Sequence, residues 1–393
     1  MEHRRLAKRL NKLGTETAFE VLAKAKALES EGQSVVHLEI GEPDMDTPSH
    51  ITRAAIEALN AGYTHYGPAA GLPELREIVA QNVASTRKIN VLPEQVIVTP
   101  GAKPIIFFTL LSLVEPGDEV IYPNPGFPIY ESMIRFCGAR PIPIPFIENN
   151  GYQLDLDTLA SKITSRTKLV ILNSPHNPTG SVMSRQDVEQ LSAILIKNEH
   201  TTILSDEIYK HIIYNKKHHS IASIGDLASR TIILDGFSKS YAMTGWRLGY
   251  GVFPKYLVPH ITKLITNSVS CTASFIQIAA IQALTGTQQP ITDMVNEFSV
   301  RRDLMVKGLQ KIKGLNCPNP DGAFYVFPDI SQTGLGSQEF QDRALREANV
   351  ALLSGTSFGE NGEGYVRLSY ANSQQNILSA IERLDAFVGK NLK

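Results

Sequence analysis

The hydrophobic positions of this chain change their spacing along its length. Between about residue 95 and residue 252, short runs such as Val96-Ile-Val98, Leu169-Val-Ile-Leu172 and Thr231-Ile-Ile-Leu234 are apolar at consecutive positions, without polar alternation. Strands buried on both faces read this way, because helices cover both sides of a parallel sheet. The pattern predicts strands over residues 95–99, 119–122, 141–144, 169–172, 202–205, 231–234 and 248–252. The stretches between them are helix-like; over 185–197, Leu191, Ile194 and Leu195 fall on one side. Strands alternating with helices predict an α/β fold, in which a mainly parallel seven-stranded sheet is flanked by helices.

The two ends differ from this middle. Residues 295–312 read as a long, charged amphipathic helix carrying Arg301-Arg-Asp303. After it, residues 323–328, 350–353 and 365–369 predict strands of a separate small sheet, and 375–388 a closing helix. Residues 18–31 also look helical, ahead of a strand at 35–38, and are expected to pack on that small sheet. The expected organisation is a large domain over 46–285 and a smaller, discontinuous α+β domain. The latter combines 286–393 with part of an N-terminal segment, 1–45. No repeat or low-complexity tract interrupts the chain.

Composition narrows the function classes. With 393 residues, 42% hydrophobic and 20% charged, the chain resembles an ordinary globular enzyme with ample core. A formal charge of −1 gives no electrostatic footprint for nucleic acid or an anionic membrane. Cys137, Cys271 and Cys317 are too few and scattered for a disulfide framework or a zinc site, which points to a reducing compartment. The start is basic but lacks the apolar run of a signal peptide. The longest apolar stretch, 105–114, is too short for a bilayer and contains Thr109 and Ser112. The expectation is a soluble, cytoplasmic protein without metal.

Candidate chemistry lies in polar islands within these apolar surroundings. Asp235-Gly-Phe-Ser-Lys-Ser-Tyr-Ala-Met-Thr-Gly-Trp-Arg-Leu-Gly-Tyr250 places Lys239 between Ser238 and Ser240, with Arg247 eight residues on. Val96-Ile-Val-Thr-Pro-Gly-Ala-Lys-Pro-Ile105 is a strand, a glycine turn and a helix start, whose free N–H groups make an anion cradle. Tyr122-Pro-Asn-Pro-Gly-Phe-Pro-Ile-Tyr130 is a stiff loop offering Phe127 either to the core or to a planar ring. In Asn173-Ser-Pro-His-Asn-Pro-Thr-Gly180, Asn177 either aims its amide into a pocket or closes an Asx turn, and His176 reads as a solvated or capping residue. Asp206 ends an apolar strand, either as a buried, paired carboxylate or as the cap of a following helix that carries Tyr209. His211, His218 and His219 read as surface residues. Arg367, inside the apolar strand of Gly362-Glu-Gly-Tyr-Val-Arg-Leu-Ser-Tyr370, asks for a planar anion, a ligand carboxylate or a nearby glutamate. An amine nucleophile, an Arg/Ser pair for phosphate, a carboxylate, and phenol and amide donors are the groups that hold pyridoxal 5'-phosphate as a lysine Schiff base.

In this order, with Gly41-Glu-Pro-Asp-Met-Asp-Thr-Pro48 and Tyr66-Gly-Pro-Ala-Ala-Gly-Leu-Pro-Glu-Leu-Arg76, the islands resemble the fold-type I pyridoxal-phosphate enzymes, closely the class I/II aminotransferases. The resemblance implies that Lys239 forms the Schiff base and shuttles the proton, that Asp206 partners the pyridine nitrogen, and that Tyr209 and Asn177 donate to the phenolic oxygen. It assigns Gly101, Ala102, Lys103, Ser238 and Arg247 to the phosphate and Phe127 to the ring face. Gly41, Asn177 and Arg367 go to the substrate α-carboxylate. Tyr66 matches a tyrosine that reaches the neighbouring subunit's phosphate, which implies a homodimer with shared active sites. Within the class, the Gly101–Lys103 turn resembles that of bacterial aspartate aminotransferases, in which the lysine contacts a distal carboxylate. The stretch Thr17-Ala-Phe-Glu20 departs from them, since theirs carries small hydroxylated residues. The implied reaction is ping-pong transfer of an amino group from an L-amino acid, aspartate or another dicarboxylic donor, to a 2-oxo acid such as 2-oxoglutarate. Alanine, aromatic or basic donors, or a lyase or synthase chemistry on the same cofactor, are the alternatives. A dehydrogenase is disfavoured because Gly359-Glu-Asn-Gly-Glu-Gly364 lacks a strand-turn-helix context.

Overall fold

A computed structural model of the chain describes residues 6–148 and 151–391; residues 1–5, the start of the basic N-terminal run, lie outside them. Seven strands form the main sheet: β1 (Val96–Thr99), β2 (Glu119–Pro123), β3 (Arg140–Ile144), β4 (Thr167–Asn173), β5 (Thr202–Asp206), β6 (Thr231–Gly236) and β7 (Gly249–Val252). Their order is β1-β7-β6-β5-β4-β2-β3. β7 runs antiparallel to both its neighbours and every other pairing is parallel. β1, β2, β5 and β6 are buried at every position, as runs without alternation require.

Successive side chains of a strand point to opposite faces, and here they feed separate packed clusters. Ile97, Val120, Leu169, Leu204 and Leu234 enter one cluster. Their neighbours Val98 and Ile233 enter a second, and Ile121, Val170 and Ile203 a third. The pairing directions make β1, β2, β4, β5 and β6 all end at one edge of the sheet. The segments after those five strands are the polar islands. Ligands of open α/β sheets bind at this carboxyl edge.

The C-terminal part builds its own layers. Tyr325–Val326, Leu353–Ser354 and Val366–Ser369 form a three-stranded antiparallel sheet. Val36–His37 pairs in parallel with Val350–Ala351 in a separate two-stranded sheet. The strand expected at 350–353 is therefore divided at Leu352, its two halves pairing with different partners. The long helix runs over Gln289–Leu309 rather than 295–312, with Pro290 in its first turn, a position at which proline's missing N–H costs nothing. Helix Gln374–Asn391 packs on it and on Ser337–Ala348. Helix Thr17–Ser30 presses Val21 and Ala25 against Leu345, Ala351, Leu353 and Phe358. Among the described residues, no helix is long and apolar enough to cross a membrane.

Candidate active site

A cavity of about 910 Å³ opens at the carboxyl edge of the main sheet. Its wall includes Gly41, Ala102, Lys103, Phe127, Asn177, Asp206, Tyr209, Ser238, Lys239, Arg247 and Arg367. The chain reaches it from both sides, since Tyr325 and Arg367 come from the small sheet and Glu16, Ala18 and Phe19 from the N-terminal helix region.

One end of the cavity is shaped for an anion. After β1, Gly101 takes a φ of +84°, and a side chain on it would collide with the Arg247 guanidinium. Helix Lys103–Leu113 begins directly after, with Pro104 in its first turn, so its free N–H groups and dipole face that end. Arg247 itself has a φ of +56°, and its Nη1 donates to the Thr244 carbonyl at 2.8 Å. A left-handed backbone at a non-glycine residue costs on the order of 1–3 kcal/mol and persists where surrounding structure enforces it.

At the centre, Lys239 Nζ donates to the Gly41 carbonyl at 2.5 Å and lies 5.9 Å from the Phe324 ring centroid. Burial pulls its basicity down to about 8; Glu42 opposes this, while Arg367, Lys103 and Arg247 reinforce it. Asp206, at the end of β5, is 4% exposed. Its Oδ2 accepts from the Tyr130 hydroxyl at 2.6 Å, and its Oδ1 accepts from Ile208 N–H at 3.2 Å. Burial pushes the Asp206 carboxyl up to about 6, against the lowering effect of these hydrogen bonds. An Asx turn follows β5 in place of the expected helix, and within it Tyr209 pairs its hydroxyl with that of Tyr325 at 2.8 Å.

Arg367 lies between two rings, 4.4 Å from the Tyr325 centroid and 4.8 Å from that of Phe358. Its Nη1 donates to Asn177 Oδ1 at 3.1 Å and its Nη2 to the Glu39 carbonyl at 2.6 Å. Both partners are neutral, and the buried Nε has none. The guanidinium is thus fixed in place by neutral groups, and among the described residues no carboxylate pairs with it directly, although Glu16 and Glu39 act on it from further off. That arrangement suits a carboxylate from outside the chain, and it displaces the alternative of an ion pair with a nearby glutamate.

An amine of lowered basicity, a buried carboxylate, an anion cradle and a stacked guanidinium share this one cavity. The family model of aminotransferase class I and II matches residues 33–384. The chain is 41% identical to the aspartate aminotransferase of Pyrococcus abyssi over 357 residues, 90% of this chain and 91% of that one. It is 39% identical to aromatic-amino-acid aminotransferase 2 of Thermococcus litoralis over 357 residues, again 90% and 91%. The solved aspartate aminotransferase of Thermus thermophilus, 36% identical, superposes with a TM-score of 0.93 over 97% of this chain and 99% of that one. The chain belongs to the class I and II aminotransferases.

Aminotransferases of this class depend on pyridoxal phosphate, and the residues present fit it. The cradle at Gly101, which a Cβ would fill, together with Ser238 and Arg247, could hold its phosphate. Phe127 borders the same space, its ring edge-on to Tyr130 with centroids 5.8 Å apart. Asp206 is a carboxylate raised by burial that a cationic ring nitrogen would return to its charged form. Lys239 offers the amine. In this aminotransferase the apoprotein's Lys239 is expected to lose its proton as pH rises through about 8, well below the ordinary lysine range. Its rate of modification by an amine-directed reagent, followed by peptide mapping against pH, checks this; a midpoint near 10.5 would contradict it.

The aminotransferase cavity brings together every residue assigned above to the cofactor and substrate except two. Gly101 lies just behind the wall against Arg247, and Tyr66 is 90% exposed and away from the cavity. Some assignments change. Glu20 is exposed and off the cavity wall, whereas Glu16, which the sequence pattern did not single out, pairs with Lys103. His176 is not solvated: it is 1% exposed, stacked 4.2 Å from Phe146, and burial lowers its basicity to about 3. His211 and His218 are not surface residues either. They adjoin a buried ionic cluster in which Arg87 binds Glu207 at 2.9 Å and Asp235 at 2.8 Å, and Lys210 also binds Asp235. Among the described residues no cluster could hold a metal ion.

Proposed function

We propose that this aminotransferase takes a dicarboxylic donor, aspartate above all, at a site shared between two copies of the chain. The observation that carries the reading is that Lys103 and Arg367 line the same cavity as Lys239, offering one cation to each carboxylate of such a substrate. Relatives named aspartate aminotransferase support it, as does the Thermus thermophilus structure solved with maleate, itself a dicarboxylate.

Pyridoxal phosphate, when bound, supplies the electron-withdrawing ring that lets a proton leave an amino acid's α-carbon. Asp206 would keep the pyridine nitrogen protonated, while Asn177 and Tyr209 would hold the phenolic oxygen. The backbone N–H groups of Gly101, Ala102 and Lys103, with the side chains of Ser238 and Arg247, would hold the phosphate. Lys239 serves as the point of covalent attachment. Its amine, whose basicity burial already lowers in the empty site, accepts the α-proton on Nζ and later returns it. Arg367, with Asn177 and Gly41 beside it, holds the α-carboxylate and so fixes the direction of the breaking C–H bond. The donor test is kcat/KM for aspartate, alanine, phenylalanine and arginine with 2-oxoglutarate. Lys103→Ala is expected to lower the aspartate value on the order of tenfold relative to phenylalanine, the loss of one charged contact. An equal effect on both donors would reject the assignment.

The homodimer rests on Tyr66. A phenol left 90% exposed, following the exposed Ile56, Leu59 and Tyr63, suits burial against a second copy. Tyr66→Ala and Lys239→Ala, co-expressed, are expected to regain activity, because one site of each hybrid carries both native residues. Activity no greater than the sum of the separate variants would contradict a shared site. We further assign residues 46–285 to a cofactor-binding domain, and 286–393 with part of 1–45 to a small one. The unpaired Cys137, Cys271 and Cys317 support a cytoplasmic location.

A further inference from the structure

Lys103 already has an anionic partner from its own chain. Glu16 precedes helix Thr17–Ser30 as its N-cap residue, yet its side chain makes no capping bond. The short side chains of Asp, Asn, Ser and Thr are the ones that cap a helix in this position, and the longer one of Glu16 is free to reach elsewhere. Here the carboxylate instead reaches across the cavity to pair with Lys103. The side chains of Lys103 and Glu16 are 42% and 24% exposed, and Lys103 Nζ also lies 5.5 Å from the Phe127 ring centroid. Such a pair is open to solvent, weakly held and exchangeable. Glu16 lies near enough to Arg367 and Tyr325 to bias both electrostatically, which places its charge within the substrate space rather than outside it.

A substrate side chain entering beside Lys103 meets this pair. A distal carboxylate must take Lys103 from Glu16 and then sit next to a displaced like charge. An uncharged side chain leaves the pair closed. It finds a neutralised lysine, the Phe127 ring, and the apolar Ala18 and Phe19 of the same wall. We propose that Glu16 is a specificity-determining residue: its carboxylate competes with a substrate's distal carboxylate for Lys103, lowering the preference for dicarboxylates and admitting aliphatic and aromatic side chains to the same subsite. The inference rests on the reading of Lys103 as the distal-carboxylate contact and adds a competitor to it. Specificity is a difference of affinities, and an internal competitor acts on one side of that difference.

The test uses the holoenzyme and Glu16→Gln, which keeps size and removes charge. Two quantities are measured: the ratio of kcat/KM for aspartate to that for phenylalanine, and the Kd of succinate by calorimetry, a dicarboxylate with no amino group to react. The ratio is expected to rise, and the succinate Kd to fall, each on the order of tenfold. A ratio that stays or falls, or weaker succinate binding, overturns the inference. Lys103→Ala, measured alongside, separates the two ideas. If it lowers the ratio while Glu16→Gln does not raise it, only the competition fails. If it leaves the ratio unchanged, the dicarboxylate reading fails and the competition fails with it.

Discussion

With alanine at Lys239, the enzyme is expected to retain pyridoxal phosphate and lose turnover by at least about 10²–10⁴-fold, the usual worth of a positioned acid–base group. Retention follows because the cradle at Gly101, the Arg247 guanidinium and the Asp206 carboxylate remain. The loss follows because the other amines of the cavity stand elsewhere: Lys103 lies beside Phe127 and Glu16 on the helix after β1, and Lys26 is exposed on the N-terminal helix. Single-turnover rates with aspartate, alongside the absorbance of the bound cofactor, measure both halves. Turnover within tenfold of the native enzyme would remove Lys239 from the mechanism.

The second large effect is expected at Asp206. Asparagine keeps the shape but removes the charge that would balance a protonated ring nitrogen, and its single acceptor oxygen can serve Tyr130 or Ile208 N–H but not both. Losing one partner of a buried ion pair costs roughly 3–5 kcal/mol, so Asp206→Asn should lower kcat/KM by about 10²–10³-fold. Cofactor affinity should fall less, since the phosphate contacts are untouched; Asp206→Ala should weaken both. Steady-state kinetics and cofactor titration of the two variants distinguish these outcomes, and near-normal turnover in the asparagine variant would reject the assignment.

The main sheet was legible because each buried strand is a continuous apolar run, and burial on both faces permits nothing else. Asp206 stands out for the complementary reason, as a charge at the end of such a run, and Lys239 for the serines on either side of it and Arg247 eight residues on. What escaped reading depends on residues far apart in sequence. Glu16 meets Lys103 across 87 positions and Tyr130 meets Asp206 across 76. Neither has a local signal: the stretch Thr17-Ala-Phe-Glu20 marks a departure in the side-chain pocket, but the glutamate that meets Lys103 is Glu16, just before it. Likewise, His176 has turn formers on every side in sequence, but the Phe146 ring that buries it belongs to another strand. The division at Leu352 is invisible in an unbroken apolar run, since only the partners of each half, Val36–His37 and Val366–Ser369, separate them.

The proposed mechanism requires a cofactor attached at Lys239. The most direct measurement is reduction of the holoenzyme with borohydride, proteolysis, and mass mapping of the phosphopyridoxyl peptide. A single adduct is expected, on Lys239 within the segment Phe237-Ser-Lys-Ser-Tyr241. An adduct on Lys103, Lys26 or any other lysine, with Lys239 unmodified, would contradict it.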